Sequence, residues 1–226
     1  MDLKPKVKYN VEKLYHDNYR VYKDGTEEVL NIYQNKNGRL GGGRQHDPIY
    51  NDENVRKQIY TFGCSWTYGW DLPQEQTFTH LLGDEETAVH NYGAGGSGLD
   101  FAIKTLSEVY IPESRRQIFI ITVPHYFRRT WFDDDGMIIK AWEVKEKVNI
   151  NEYNNYFYFL HQYNFVNTFV GRDKIIWGTW DMDLPQEYFD VFFERIDYTK
   201  DGLHPGPNSH KQYAEKIKDV LQNRFK

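Results

Sequence analysis

The sequence predicts an α/β fold built on a parallel sheet, and three observations carry that prediction. Gln117–Val123 (QIFIITV) is an almost unbroken apolar run, and residues 174–180 (KIIWGTW) are a second. Strands buried on both faces of a parallel sheet read this way, whereas half-exposed strands alternate. From Gln58 onward, apolar run, glycine-rich or polar loop and helical pattern follow one another repeatedly, which is the rhythm of strand–helix–strand units. Finally, Pro205 and Pro207 stand just ahead of the last helical pattern, where proline does least harm.

The elements follow in order. Residues 1–57 alternate short Tyr/Val/Leu-containing pieces with turn signals such as Lys23-Asp24-Gly25 and Gly41-Gly42-Gly43, and read as an irregular extension with short strands packed on the main domain. The main domain spans 58–226. Strands are expected at 58–62, 87–92, 117–123 and 174–180, at least four in all. Helices are expected at 74–82, 99–110, 151–170 and 209–224. Residues 124–150 form a long connection of the kind that supplies lids and binding surfaces. Its Asp133-Asp134-Asp135-Gly136 reads as a solvated turn, and no metal site is assigned to it.

Composition narrows the function classes. The net charge is −5, from 28 basic and 33 acidic residues interspersed along 226 positions, so no nucleic-acid partner is expected. No run of about 18 apolar residues occurs and Met1-Asp2-Leu3-Lys4-Pro5-Lys6 lacks a secretory core, so neither a membrane span nor Sec export is expected, and a cytoplasmic location fits. The single cysteine, Cys64, makes no internal disulfide, and no HExxH pattern is present. The surplus is aromatic: 18 Tyr, 14 Phe and 6 Trp supply flat faces that fill a core or stack on sugars.

In an open parallel sheet, ligands bind beyond the carboxyl ends of the strands, so the residues just after each strand are read together. After the first comes Gly63-Cys64-Ser65. A tight turn there projects the Ser65 hydroxyl and aims its N–H at the same point, as a nucleophile with its own oxyanion donor requires; the alternative is a helix-capping serine. Thr67 stands where the second glycine of a Gly-x-Ser-x-Gly elbow belongs, which disfavours an ordinary α/β-hydrolase.

After the second strand, Gly93, Gly95 and Gly98 formally satisfy G-x-G-x-x-G. A dinucleotide site also needs an acid at the end of the next strand, and Thr122-Val123-Pro124-His125 has none. The glycine turn also suits close backbone approach to an oxyanion. Downstream, Asp201-Gly202-Leu203-His204-Pro205 sets a carboxylate and an imidazole three residues apart, the pair that fixes a histidine tautomer and frees its other nitrogen to take a serine proton.

Together these blocks resemble the SGNH/GDSL hydrolase superfamily of esterases and lipases over residues 58–226. The resemblance implies a flavodoxin-like three-layer α/β/α sandwich. Gly63-Cys64-Ser65 matches the Gly-Asp-Ser block with Cys64 in the aspartate's place, which implies Ser65 as nucleophile and first oxyanion donor. Asn91 followed five residues later by Gly96 matches the second block, which implies Gly96 as the next donor. Asp201, His204 and Pro205 match the Asp-x-x-His-Pro block in full. The Gly-x-Asn-Asp block after the third strand is absent: Val123-Pro124-His125-Tyr126-Phe127-Arg128 stands there, leaving His125 or Arg128 as a replacement donor.

The expected activity is therefore ester hydrolysis by Ser65, His204 and Asp201, without metal or cofactor, on a small-molecule or glycan ester such as an O-acetylated carbohydrate. Trp66, Asn91 and Arg128 are candidate substrate-binding residues. An acyltransferase with the same triad, and a non-catalytic module on the same fold, are the alternatives.

Overall fold

The computed structural model describes residues 55–125, 128 and 152–225, with the backbone of residues 20–21, 27–28, 33–34, 40–41, 131–132 and 138–139. Six of these short pieces pair as antiparallel two-residue ladders: Arg20–Val21 with Glu27–Glu28, Tyr33–Gln34 with Leu40–Gly41, and Trp131–Phe132 with Ile138–Ile139. Apart from these pieces and from residues 55–57, 124, 125 and 128, the extension expected over 1–57 and the connection over 124–150, with its Asp133–Asp135 turn, lie outside the described residues.

Five parallel strands form the central sheet: β1 (Lys57–Gly63), β2 (Thr87–Gly93), β3 (Gln117–Val123), β4 (Ile175–Thr179) and β5 (Val191–Phe192). Their spatial order is β2-β1-β3-β4-β5. In this doubly wound order the chain steps one way from β1 to β2 and the other way thereafter, so a crevice opens between β1 and β3 at their carboxyl ends. The protein is thus a three-layer α/β/α sandwich with a parallel central sheet.

Helices cover both faces because every residue of β3 is buried and both sides of the strand need apolar cover. On one face Phe119, Ile121 and Val123 pack with Tyr60, Phe62 and Trp177 against α3 (Leu99–Val109) and α4 (Glu152–Val170). On the other, Ile118 and Ile120 pack with Ile59, Val89 and Ile176 against α2 (Phe78–Leu81) and α5 (Pro207–Arg224). Each fully buried side chain of this kind stabilises the fold by about 1.5–3 kcal/mol. The remaining helix among the described residues, α1 (Ser65–Tyr68), follows β1 directly.

Two devices seat α5, from whose start the last functional turn hangs. Gly178 in β4 leaves room for the Tyr213 hydroxyl, which a Cβ would overlap, and that hydroxyl pairs with Thr122 Oγ1 at 3.0 Å. At the far end, Arg224 donates to Asp190 Oδ1 at 2.5 Å and to Ile175 O at 2.9 Å. Burial acts to raise the Asp190 pKa, but hydrogen bonds from Arg224, Arg172 and the Trp177 N–H outweigh it and hold the carboxyl below its ordinary range.

The fold departs from the sequence expectation in three places. The helix expected over 74–82 is broken into a 3-10 turn, Gln74–Gln76, and α2, because Thr77 is extended and caps α2 by accepting the His80 N–H on its hydroxyl. The last helix begins two residues before 209, with Pro207 in its first turn. The edge strand β5 has no counterpart among the expected strands, since two residues offer no apolar run long enough to read.

Candidate active site

The first block is shaped by a close approach. A Cβ on Gly63 would overlap Thr67 Oγ1 and stand 2.7 Å from Thr122 O, and φ is +156°. Only glycine fits there, and the chain then turns through Cys64, which is fully buried and holds the N-cap position without a side-chain capping bond. Ser65 is therefore the first residue of α1 and not its cap. The helix lasts four residues, ended by Gly69 at φ +76°, so its macrodipole is slight; what it offers is first-turn N–H groups without intrahelical acceptors.

The glycine turn after β2 is tied to the same point. Ala94 N–H and Ser97 Oγ both donate to Gly63 O, at 2.9 and 3.1 Å, so the loop that carries Gly96 closes over the end of β1. Gly96 itself lies at φ +74°. Gly95 faces the Trp70 ring, which a Cβ would meet at 3.3 Å, and Trp70 in turn lies 5.9 Å from the His204 ring. Trp70 thus fills the space over the glycine that a pyrophosphate would need to approach in the dinucleotide reading.

The third block is a turn closed on itself. A bridge joins Tyr198 to Pro205, and the Thr199 N–H donates to His204 O at 2.9 Å. Inside it, Asp201 Oδ1 accepts from Thr199 Oγ1 (2.7 Å), Leu203 N–H (2.8 Å) and His204 N–H (3.0 Å), which leaves Oδ2 for His204 Nδ1 at 2.6 Å. Burial acts to raise the Asp201 pKa, but these hydrogen bonds prevail and hold it well below the carboxylate range.

An ionised Asp201 accepts only, so Nδ1 carries the proton and Nε2 of the neutral ring is an acceptor. Nε2 lies 3.0 Å from Ser65 Oγ, and Ser65 is 8 % exposed. Ser65, His204 and Asp201, separated by 139 and 3 positions in the chain, thus form one hydrogen-bonded line at the carboxyl end of the sheet. Such a line can draw a proton from a hydroxyl as it attacks a carbonyl and store it on a carboxylate-stabilised ring.

The other expected site residues are placed differently. Asn91 is 2 % exposed, and its amide is engaged with the carbonyls of Thr67 and Tyr68, with Thr79 Oγ1 and with the Gly93 N–H. It braces α1 against β2 and does not face the opening as a substrate-binding residue would. His125, after β3, sets Nδ1 on Asp181 Oδ2 at 2.9 Å, and its ring meets the Trp180 ring edge-on at 4.1 Å. Trp66 stacks on that same Trp180 at 4.5 Å, and the Arg128 guanidinium lies 5.6 Å from it. Trp180 therefore gathers Trp66, the residue after Ser65, with His125 and Arg128.

Asp181, Trp180 and Trp70 are absent from the sequence reading of the site. Asp181 follows β4 by one residue beyond Trp180, so the rule that singled out the ends of the other strands applied to it as well. Nothing in the sequence pairs it with His125, which lies 56 positions away. Trp70 carries no motif at all.

No family model matches the chain, and no curated protein does. Among solved structures it is similar to a member of the lipolytic protein G-D-S-L family from Veillonella parvula, with 13 % identity over 74 % of this chain and 98 % of that one and a TM-score of 0.47. A putative lipolytic protein of the same family from Desulfitobacterium hafniense shares 14 % identity over 73 % of this chain and 99 % of that one, with a TM-score of 0.43. An acetyl xylan esterase from the rumen bacterium Butyrivibrio proteoclasticus shares 12 % identity over 76 % of this chain and 65 % of that one, with a TM-score of 0.44. These likenesses are distant, and the roles of the site residues rest on this chain's own geometry.

Proposed function

We propose that the protein is a serine esterase. The observation that carries this reading is the continuous line from Ser65 Oγ through His204 to Asp201, with contacts of 3.0 and 2.6 Å. Ser65 attacks the ester carbonyl while His204 Nε2 takes its proton, and Asp201 stabilises the imidazolium. His204 then returns the proton to the leaving alcohol. Water, deprotonated by the same ring, releases the acid from the acyl-enzyme.

The oxyanion that forms in each half-reaction needs preorganised donors. The Ser65 N–H, in the first turn of α1, and the Gly96 N–H, in the loop tied to Gly63 O, take that role. His125 takes the position after β3.

The substrate is a small acyl ester of a carbohydrate, for which the Trp70 ring beside His204 supplies a stacking face. Release of acetate from an acetylated sugar by the wild-type chain, and its loss in Ser65→Ala, is the result expected. Equal acetate release by Ser65→Ala would refute the reading. Transfer of the acyl group to an added sugar acceptor in preference to water would recast the enzyme as an acyltransferase.

A further inference from the structure

Arg195 lies between β5 and the Asp201–His204 turn, and its guanidinium meets three partners. Nη1 donates to Leu203 O at 2.6 Å, while Cζ lies 5.6 Å from the centre of the Trp66 ring and 4.7 Å from that of Tyr198. Leu203 immediately precedes His204, and Trp66 immediately follows Ser65. One side chain therefore spans the segment that carries the base and the segment that carries the nucleophile.

The segment from which Arg195 projects is fixed on both sides. Phe193 is buried and stacks on Tyr213 at 4.2 Å. Asp197 accepts from the N–H groups of Asn208 and Ser209, at 2.9 and 2.8 Å, and from Ser209 Oγ at 2.5 Å, which anchors it to the start of α5. The turn beyond Asp197 has a closed base and an open tip: nothing lies within 4 Å of where a Cβ on Gly202 would stand, and Leu203 is 67 % exposed.

The hydrogen bonds inside that turn keep Asp201 and His204 in register with each other. They do nothing to keep His204 in register with Ser65. We propose that Arg195 is the positioning residue that does so, holding the tip of the turn, through Leu203 O, at a set distance from the Trp66 ring. A guanidinium suits the task because its plane can lie on aromatic faces while its edge donates to a carbonyl; an ammonium does so less well. The inference rests on the Ser65–His204 reading of the site and assigns Arg195 no contact with substrate.

The test uses the full chain with 15N-labelled histidine. The His204 Nε2 resonance of Ser65→Ala marks the state in which the hydroxyl contact is lost. In Arg195→Met the resonance is expected to move toward that value, and in Arg195→Lys only part of the way. An unchanged resonance in Arg195→Met overturns the proposal, whether or not the protein proves to be an esterase. Steady-state kinetics on 4-nitrophenyl acetate add the functional reading: Arg195→Met is expected to lower kcat about ten- to a hundredfold at nearly constant KM, as sub-ångström to ångström misplacement of a base does. A raised KM with unchanged kcat would make Arg195 a substrate-binding group and overturn its positioning role. A wild-type chain without esterase activity would refute the proposed function alone, because the resonance comparison still decides Arg195.

Discussion

The molecule sets two histidines on two carboxylates, and the pairs are built in opposite ways. His204 and Asp201 share one turn, with side chains 20 % and 26 % exposed, and the ring reaches across to Ser65. His125 and Asp181 come from the ends of β3 and β4, and the Asp181 side chain is 2 % exposed. In the first pair the carboxylate is held by three hydrogen bonds from its own turn. In the second, Asp181 takes the Asp183 N–H at 3.2 Å, while its own N–H donates to Thr179 Oγ1 at 3.0 Å, so it is fixed by the strand end that bears it. A histidine–carboxylate pair is therefore not in itself a catalytic base. What matters is the group that the second ring nitrogen faces, and for His204 that group is a serine hydroxyl.

The largest effect expected is on the first pair. Ser65→Ala and His204→Ala should each lower kcat by on the order of 10⁴-fold or more, and the double variant should be no worse than either single one, because the residues act as a unit. Additive losses in kcat would break the account. Asp201→Asn should cost about 10⁴-fold, since an amide no longer fixes the productive tautomer.

The same substitution has a signature in stability. The folded pKa of Asp201 lies below its unfolded value, so the stabilisation from its charge is fully present above about pH 4 and is lost as the pH falls through the folded value. Urea unfolding at pH 7 and pH 3 should therefore show a smaller difference for Asp201→Asn than for the wild type. An equal difference would mean that the carboxylate is not held by its turn.

The second pair should respond differently. His125→Ala should lower kcat about a hundredfold through loss of one oxyanion donor, while labelling of Ser65 by an acylating probe persists. Asp181→Asn should lower stability by about 1–3 kcal/mol, measured by thermal or urea unfolding, because it disturbs a buried hydrogen-bonded group. If His125→Ala were as damaging as His204→Ala, the two pairs would not differ in kind. The smallest effect belongs to Cys64→Ala: kcat within about twofold of wild type and a stability loss of about 1 kcal/mol, as for a small change at a buried site. A large loss of kcat there would point to the thiol and away from Ser65.

How much of this was legible in the sequence follows from how each feature is encoded. β3 and β4 were readable because burial on both faces demands unbroken apolar runs. Asp201 and His204 were readable because a turn can bring residues three apart together without help from the rest of the fold. Ser65 gained meaning only beside that turn, since a serine after a glycine at a strand end is ambiguous by itself. The His125–Asp181 pair was half legible: the rule that ligands gather at strand ends pointed to His125, but the partner depends on β3 and β4 being neighbours. The burial of Asn91 was illegible, because its spacing to Gly96 says nothing about which way its amide faces. Trp70 and Arg195 were illegible, for their roles arise only from packing between distant segments.

The proposed esterase depends on Ser65 being a nucleophile activated by His204. A fluorophosphonate probe followed by mass spectrometry of the digested protein tests it most directly. A single phosphonyl adduct on Ser65 is expected, absent in Ser65→Ala and formed far more slowly in His204→Ala. An intact wild-type chain that takes up no label, or that carries it on another residue, would contradict it.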